Sequence, residues 1–546
     1  MRTPPFNIIT RRGFLDRSVK TSLAVALSTL VDIPFVMKRA LAEGSIGLNG
    51  KKMFFIWLRG ANDALNSVIP IRDPAYASSR PTLQILPDAI GYAASGPADF
   101  PLSSSDPASA DFGAYHYTKA IRLGNGFAAL HPSLKFLASV YNAGDLALVH
   151  RVAYPNQSRS HFDSQNYWEN GNPNDDLSKD GIFYRTIVES GLANSAPLTG
   201  VSIQSALPLI LRGSDAAMTN LTDPTRYNLL AVPTPAGDSK SDSALFAANT
   251  YPFAPKKNRE LLSLQYENLQ KTLGLFSGID FTETGNQFRD DEMTDNDTAW
   301  AAANGGKGYY LFPTTNIKNG GWRRPDGSNA FNKYVVDPAM QGFFTNLKAA
   351  ALVLNKTDAI IAGTEIGGFD THKAEGTLNG QHPNLNRVIG WSMYALRKYF
   401  TLFADKAAWD NVVIVTLSEF GRTSIENSDL GTDHAEAGVM FLGGGGIKGY
   451  NKPGGSLSGV YNCGASDPIP WVTGSSGSMF GVSGRYLRRT TDYRSVLGEV
   501  IRKHLGATQN QLNRIIPGYA DPNEKLLAGG ISGVDGTPIR GEIGIL

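Results

Sequence analysis

Residues 411–423 read NVVIVTLSEFGRT, a β-branched apolar run followed at once by a polar cluster. The run Val412–Leu417 is apolar enough to predict a buried central strand. The cluster that follows, Ser418–Thr423, puts a glutamate and an arginine at the end of that strand, where charged groups are costly to bury unless they are paired or functional. The pattern is therefore consistent either with a structural ion pair between Glu419 and Arg422 or with a functional site.

The same pattern of an apolar run ending in polar residues recurs along the chain. Short apolar strands bounded by Gly, Asp or Ser are predicted at Lys52–Leu58, Leu146–Arg151, Ala359–Ile366, Asn411–Leu417 and Gly438–Leu442. Helical patterns lie between them at His131–Ala143, Arg259–Phe276, Ala339–Asn355, Leu385–Ala404 and Asp492–His504. This alternation predicts an α/β fold, a three-layer sandwich whose central, mainly parallel sheet is covered on both faces.

Composition limits the chemistry that the chain can carry out. It has 546 residues, a formal net charge of +2 and a single cysteine. The near-neutral charge argues against nucleic acid as a partner. One cysteine excludes an internal disulfide framework and multi-thiolate metal sites, so any metal must use oxygen and imidazole ligands. We expect one domain, residues 43–546, with loop insertions near 78–117, 280–332 and 443–488.

The N-terminal residues 1–42 have the features of an export signal. Arg11-Arg12 has the twin-arginine form, the modestly apolar stretch Thr21–Val36 follows, and Ala40-Leu41-Ala42 offers a cleavage site. A surface amphipathic helix that happens to contain two arginines is the alternative. We expect a periplasmic or secreted protein that meets the twin-arginine translocase during export and has no stable membrane span.

Two clusters of polar residues suggest binding or catalysis, the first of a cation and the second of an anionic group. In Arg59–Asp63 an aspartate at the end of a strand, in a cluster with a glycine, suits a hard cation, although Asn-Asp also forms ordinary turns. In Ser158–Asp163 the predicted roles are nucleophile for Ser160, acid/base for His161 and anion clamp for Arg159. A serine that caps a helix is the simpler interpretation of this second cluster.

Two further clusters pair a carboxylate with an imidazole, which suits metal ligation as well as a polar turn. They are Gly367–His372, with Asp370 and His372, and Gly431–Ala435, with Asp433 and His434. Such ligands suit one or two ions of Zn, Mn, Mg or Ca, and two neighbouring cations could clamp an anionic ester. The predicted metal ligands are Asp63, Asp370, His372, Glu419, Asp433 and His434; the predicted anion clamps are Arg59, Arg159 and Arg422.

Taken together, these motifs resemble the domain of unknown function 1501 family of exported bacterial proteins. The resemblance lies in Gly60–Asn66, Ser158–Asp163, Gly367–His372, Ser418–Thr423 and Gly431–His434, with Ala64 where glycine is usual. That family is similar to the alkaline phosphatase-like superfamily of metal-dependent hydrolases and mutases. Glu419-Phe420 stands where that superfamily has an Asp-His metal pair.

The resemblance implies a central sheet with two metals at the strand ends and a nucleophile that opens a helix. It assigns Asp370, His372 and His434 to one metal, Asp63 and Glu419 to a second, and the nucleophile to Ser160. The expected function is that of an exported metal-dependent hydrolase of phosphate or sulfate esters. The alternative is a non-catalytic exported binding or assembly protein that retains the metal site for structure.

Overall fold

A computed structural model describes thirteen stretches of the chain: residues 46–71, 73–85, 120–123, 128–192, 199–214, 218–224, 274–276, 278–281, 288–290, 309–314, 338–455, 459–462 and 485–546. The predicted signal, residues 1–42, lies outside them, as do the predicted helix at 259–276 apart from its last three residues and most of the three predicted insertions. Among the described residues, no helix has both the length and the apolar character needed to cross a bilayer.

The first half of the chain contributes the following elements: β1 (Lys52–Leu58), α1 (Ala64–Ser67), β2 (Val68–Ile69), α2 (Pro74–Ser79), β3 (Ile121–Arg122), β4 (Ala129–Leu130), α3 (Leu137–Asn142), β5 (Leu146–Ala153), α4 (His161–Asn170), α5 (Ile182–Glu189), β6 (Gly200–Ile203) and β7 (Thr219–Leu221). The second half contributes β8 (Arg289–Asp290), β9 (Tyr309–Tyr310), α6 (Pro338–Lys356), β10 (Ile361–Ile366), α7 (Gln381–Leu402), β11 (Val412–Leu417), β12 (Arg422–Glu426), β13 (Thr432–His434), β14 (Gly438–Gly444), β15 (Val460–Tyr461), β16 (Thr491–Asp492), α8 (Tyr493–Glu499), α9 (Gln509–Ile515), β17 (Gly530–Ile531) and β18 (Pro538–Ile539). Short 3-10 helices occur at Pro132–Leu134, Leu209–Leu211 and Trp409–Asn411, and a π-helical turn at Val500–His504.

The central sheet has the strand order β15-β5-β14-β11-β1-β10-β6-β7, with β16 also paired to β5. Strand β1 is parallel to both β10 and β11, and β6 and β7 continue in the same direction. Strand β14 is antiparallel to β11 and also to β5, so β5 runs in the direction of β11. The sheet is therefore mixed but mostly parallel, which confirms the predicted α/β class.

Both faces of this sheet are buried, as the continuous apolar sequence of β1 predicts. Alternate residues of β1 enter two separate cores. Phe54, Ile56 and Leu58 lie in the first core, and Met53, Phe55 and Trp57 lie in the second. The first core is completed by helices α3, α6 and α7, and the second by helices α5, α8 and α9. The sheet is thus held rigidly from both sides, which fixes the positions of the loops at its edges.

Two local predictions are corrected by packing. The predicted helix at 131–143 is divided into a 3-10 turn and α3, because His131 caps the turn at Pro132 by accepting a hydrogen bond from Ser133 N. The predicted insertion at 443–488 begins inside β14, because Gly443 and Gly444 are strand residues. A Cβ on Gly444 would overlap Val412 O, so this glycine allows close strand pairing and is not part of a loop.

Candidate metal centre

The topology brings the polar clusters to one edge of the sheet. Strands β1, β5, β10 and β11 share a direction, so their carboxyl ends meet at the same edge. Strand β14 runs the opposite way, and therefore begins at that edge, directly after β13 and its Asp433-His434 pair. One antiparallel strand thus adds a fifth cluster to the four that follow parallel strands.

Four side-chain atoms converge at this edge. His434 Nε2 lies 3.0 Å from His161 Nε2, 2.9 Å from His372 Nε2 and 3.1 Å from Asp370 Oδ1. Asp370 Oδ1 in turn lies 3.1 Å from His372 Nε2 and 3.5 Å from His161 Nε2. We call these four residues the histidine cluster. His161 is the first residue of α4, Asp370 and His372 follow β10, and His434 ends β13.

The second nitrogen of each imidazole faces an oxygen atom that can only accept a hydrogen bond. The pairs are His161 Nδ1 with Glu419 Oε1 at 3.0 Å, His372 Nδ1 with Asp433 Oδ1 at 3.2 Å, and His434 Nδ1 with the carbonyl oxygen of Arg159 at 2.8 Å. These partners assign the hydrogen of each neutral ring to Nδ1. Each Nε2 therefore turns a lone pair towards the centre of the cluster.

Three imidazole lone pairs and one carboxylate oxygen thus face one another at about hydrogen-bond distance, with no hydrogen assigned between them by these partners. An extra proton would satisfy one such contact, whereas a divalent cation satisfies all of them. Imidazoles whose Nδ1–H donates to a carboxylate or carbonyl are the usual arrangement around protein-bound zinc. The ligand atoms of His161, Asp370 and His434 all lie within 4.8 Å of one another, and His372 approaches two of them.

The electrostatics of the cluster keep its carboxylate charged. Burial alone would raise the pKa of Asp370, but Arg422 and the neighbouring histidines outweigh it, so the pKa is lower than the ordinary value. Arg422 Nη2 donates to Asp370 Oδ1 at 2.8 Å. The hydrogen bond to Glu419 raises the pKa of His161, whereas burial lowers the pKa of His434. These opposite pKa shifts show that the adjacent rings of His161 and His434 have different surroundings.

Glu419 and Asp433 contact the Nδ1 atoms of His161 and His372, on the side of each ring away from the centre of the cluster. Glu419 Oε1 also accepts a hydrogen bond from Gly60 N at 2.8 Å, while its buried Oε2 has no partner among the described residues. Asp433 also accepts from Asn427 and, through Oδ2, from Arg485 at 2.6 Å. Burial would raise the pKa of Asp433, but these bonds lower it to about 2. Both carboxylates orient imidazoles, which sequence reasoning did not distinguish from direct ligation.

Replacing Asp433 with asparagine separates these two roles. The new amide side chain would keep an oxygen for His372 Nδ1 but lose the charge, so we expect Zn²⁺ affinity to fall by about 10- to 100-fold without being abolished. Isothermal titration with Zn²⁺ measures the change. Asp429→Asn, in the exposed turn between β12 and β13 and paired with Lys373, is the matched control and should leave the affinity unchanged. Complete loss of binding in Asp433→Asn would instead indicate a direct ligand.

Asp63 is not among the residues that converge in the histidine cluster. It is fully buried, caps α1 by accepting from Leu65 N, and both of its carboxylate oxygens accept from Arg80. Arg59, a predicted anion clamp, is bonded to Glu365 Oε2 at 2.8 Å and Glu169 Oε1 at 3.0 Å. Asp63 and Arg59 thus both form ion pairs within the protein.

The remaining predicted residues lie around the cluster. Ser160 is the N-cap of α4, as the simpler interpretation predicted, and its Oγ accepts from Asp163 N. The guanidinium of Arg159 lies 4.6 Å from the centre of the Tyr486 ring and is exposed. Arg422 is buried, and its Nε and Nη1 have no partner among the described residues. Of these two guanidiniums, that of Arg422 is buried and contacts the cluster through Asp370, whereas that of Arg159 is exposed and lies over Tyr486.

Sequence reasoning missed two residues close to the site. It assigned residues from 78 onward to a surface insertion, yet Arg80 is fully buried and is bonded to Asp63 and to the backbone of β12. Its neighbours Leu83 and Ile85 are buried too, and their spacing of two is the one local sign that this segment packs inward. Arg485 bonds Asp433 and lies in a Gly- and Ser-rich stretch that gave no signal.

Comparison with known proteins gives a family match over part of the chain. Residues 326–456 match the model of a protein family described as protein of unknown function (DUF1501). The match spans Asp370, His372, Glu419, Arg422, Asp433 and His434, and does not extend to His161 or Asp63. This supports the predicted family. Neither a curated protein nor a solved structure gives a significant match to the chain.

Proposed function

We propose that this protein is an exported, metal-dependent hydrolase of phosphate or sulfate esters, with an alkaline phosphatase-like arrangement of its site. The observation that carries the proposal is the convergence of three imidazole nitrogens and one carboxylate oxygen, all of them acceptors. Three imidazoles with one carboxylate favour zinc over the oxygen-seeking Mg²⁺ and Ca²⁺. A cation held there polarises an ester oxygen and makes a water nucleophilic near neutral pH.

Exposure of the cluster favours catalysis over a purely structural metal. The side chain of Asp370 is 46% exposed and that of His372 is 40% exposed. Because four protein ligands fill a tetrahedral zinc site, catalysis by this four-residue set requires a further coordination position for water or substrate. A ligand set that is open to solvent on one side therefore supports substrate access.

Arg422 supports an anionic substrate. Its guanidinium is buried beside Asp370, and two of its nitrogens have no partner among the described residues. Buried donors without acceptors are costly, and the negatively charged oxygens of a phosphate or sulfate would satisfy them. Arg159, whose carbonyl fixes His434, adds a second positive charge at the exposed side.

The attacking group is either a water or Ser160. His161 presents its Nε2 to the cluster, so we propose it as a ligand in preference to the acid/base role that the sequence suggested. Ser160 opens α4 directly beside that ligand, which keeps it a nucleophile candidate. If water attacks, Ser160→Ala should keep turnover and Zn²⁺ affinity; if the serine attacks, turnover should be lost while the bound metal is kept.

The test begins with the metal content of the purified protein, followed by hydrolysis assays with an aryl phosphate, an aryl phosphodiester and an aryl sulfate. Turnover that needs Zn²⁺ and is removed by chelation is the expected result. We expect Arg422→Lys, assayed at saturating Zn²⁺, to lower kcat/KM by about 100-fold or more, because an ammonium cannot reproduce the forked donors of guanidinium. Arg397→Lys, at a partly exposed ion pair with Asp145, is the control. Equal activity of both variants would contradict the role of Arg422.

A non-catalytic protein with a structural metal remains the second candidate, and one observation favours it. Among the described residues, no carboxylate or imidazole is hydrogen-bonded to Ser160 Oγ, which is used as a helix cap. This candidate predicts that Zn²⁺ binds and raises Tm while none of the three esters is hydrolysed. Zn²⁺-dependent turnover of any of them would eliminate it.

A further inference from the structure

An ion pair without solvent contact lies at the carboxyl end of β1. Asp63 and Arg80 are both fully buried. Arg80 Nη2 donates to Asp63 Oδ1 at 3.0 Å, and Arg80 Nη1 donates to Asp63 Oδ2. Burial alone would raise the pKa of Asp63, but Arg80 outweighs it and the pKa lies well below the ordinary value. The positive charge that a buried carboxylate requires is thus supplied by the chain itself.

The same guanidinium reaches the strand that faces the histidine cluster. Arg80 Nη2 donates to Thr423 O at 2.7 Å, and Arg80 Nε donates to Ser424 O at 3.1 Å. Both carbonyls belong to β12, which pairs with β13 so that Arg422 lies opposite His434. We call residues 422–434 the site hairpin. Arg80 therefore connects the end of β1 to the backbone of the site hairpin.

The second strand of the site hairpin is held by a buried carboxyl group. Thr432 Oγ1 donates to Glu375 Oε2 at 2.7 Å. Burial, and then the charge of Asp63, raises the pKa of Glu375 well above its ordinary value. The charges of Asp63 and Arg80 balance each other. Among the described residues, Arg80 thus provides the counter-charge that a metal ion would otherwise have to provide for Asp63.

We propose that Asp63 and Arg80 form a positioning pair, in which Arg80 is the fixed counter-cation of Asp63 and holds the site hairpin so that His434 contacts the other three residues of the histidine cluster. Asp63 is then no metal ligand, and the chain binds one metal ion and not two. The part that concerns His434 as a ligand rests on the proposed function, whereas the anchoring of the site hairpin does not.

The experiment compares Arg80→Gln with a matched variant, Arg494→Gln. Arg494 also makes a bidentate pair with a buried aspartate that caps a helix, donating through Nε and Nη2 to Asp492 at 3.0 Å for both bonds. Hydrogen exchange of the amides in 422–434 is measured by mass spectrometry, and Zn²⁺ stoichiometry and affinity by titration. For Arg80→Gln we expect exchange in the site hairpin to rise about tenfold or more and Zn²⁺ affinity to fall about 10- to 100-fold. Arg494→Gln should change neither.

If Arg80→Gln does not fold, the double variant Asp63→Asn/Arg80→Gln removes both buried charges together and should show the same rise in exchange. Unchanged exchange of residues 422–434, or an equal rise in Arg494→Gln, overturns the positioning role. Two Zn²⁺ per wild-type chain, with one lost in Asp63→Asn, overturns the counter-cation role. A wild-type chain that binds no Zn²⁺ overturns the proposed function alone, since the exchange measurement still decides the anchoring.

Discussion

Replacing His434 with alanine is expected to abolish tight Zn²⁺ binding and, with it, any ester hydrolysis. His434 Nε2 is the atom that all three other members of the histidine cluster approach, at 2.9, 3.0 and 3.1 Å. Without this imidazole, the ligand atoms of His161, Asp370 and His372 lose the one neighbour that they share. The loss should exceed the roughly 10- to 100-fold effect of removing a residue that only orients a ligand. Titration with Zn²⁺ and the aryl phosphate assay measure both quantities.

A buried histidine far from the cluster provides the control. His504 is buried and its Nε2 contacts Lys52 O at 2.9 Å, at the opposite end of β1. His504→Ala should lower the free energy of unfolding but leave Zn²⁺ stoichiometry and affinity unchanged. A His434→Ala protein that still binds one Zn²⁺ with wild-type affinity would remove the histidine cluster as the metal centre.

Gly60→Ala is expected to damage both the fold and the metal centre. Gly60 has φ of +107°, and a Cβ there would overlap Asp370 N and lie 2.9 Å from the carbonyl carbon of Phe369. Because those atoms are backbone, they cannot rotate away, and the loop that carries Asp370 must shift. We expect the free energy of unfolding to fall by about 3 kcal/mol, combining overpacking with an unfavourable backbone conformation. Zn²⁺ affinity should fall with it.

A second glycine separates the two causes. Gly50 also has a positive φ, +78°, but a Cβ there would meet no atom within 4 Å. Gly50→Ala should therefore cost only the conformational part, about 1 kcal/mol, and leave Zn²⁺ binding intact. Denaturant unfolding of both variants measures the difference. Equal losses of stability for the two would show that the contact between Gly60 and the Asp370 loop does not matter.

Much of the sheet could be predicted from local sequence. The prediction of β1 matches its observed bounds, and β11 and α6 differ by a single residue or less at each end. These elements carry continuous or periodic apolar patterns, and burial is what the pattern encodes. Glycine-rich β14 was predicted two residues too short, because glycine at 443 and 444 permits close packing that no local pattern reports. The segment around Arg80 was misassigned since its partners are distant in sequence.

The sequence by itself determined which chemical groups this protein has and on which strand ends they stand: imidazoles, carboxylates and guanidiniums, with no thiolate set. Only the tertiary structure decided their roles. In the folded protein His161 contacts His434, which lies 273 residues later in the chain. Asp63 pairs with Arg80 and does not join the histidine cluster. The reason is physical: a residue's chemistry is local, whereas which nitrogen or oxygen it turns to which neighbour depends on segments brought together only when the sheet closes.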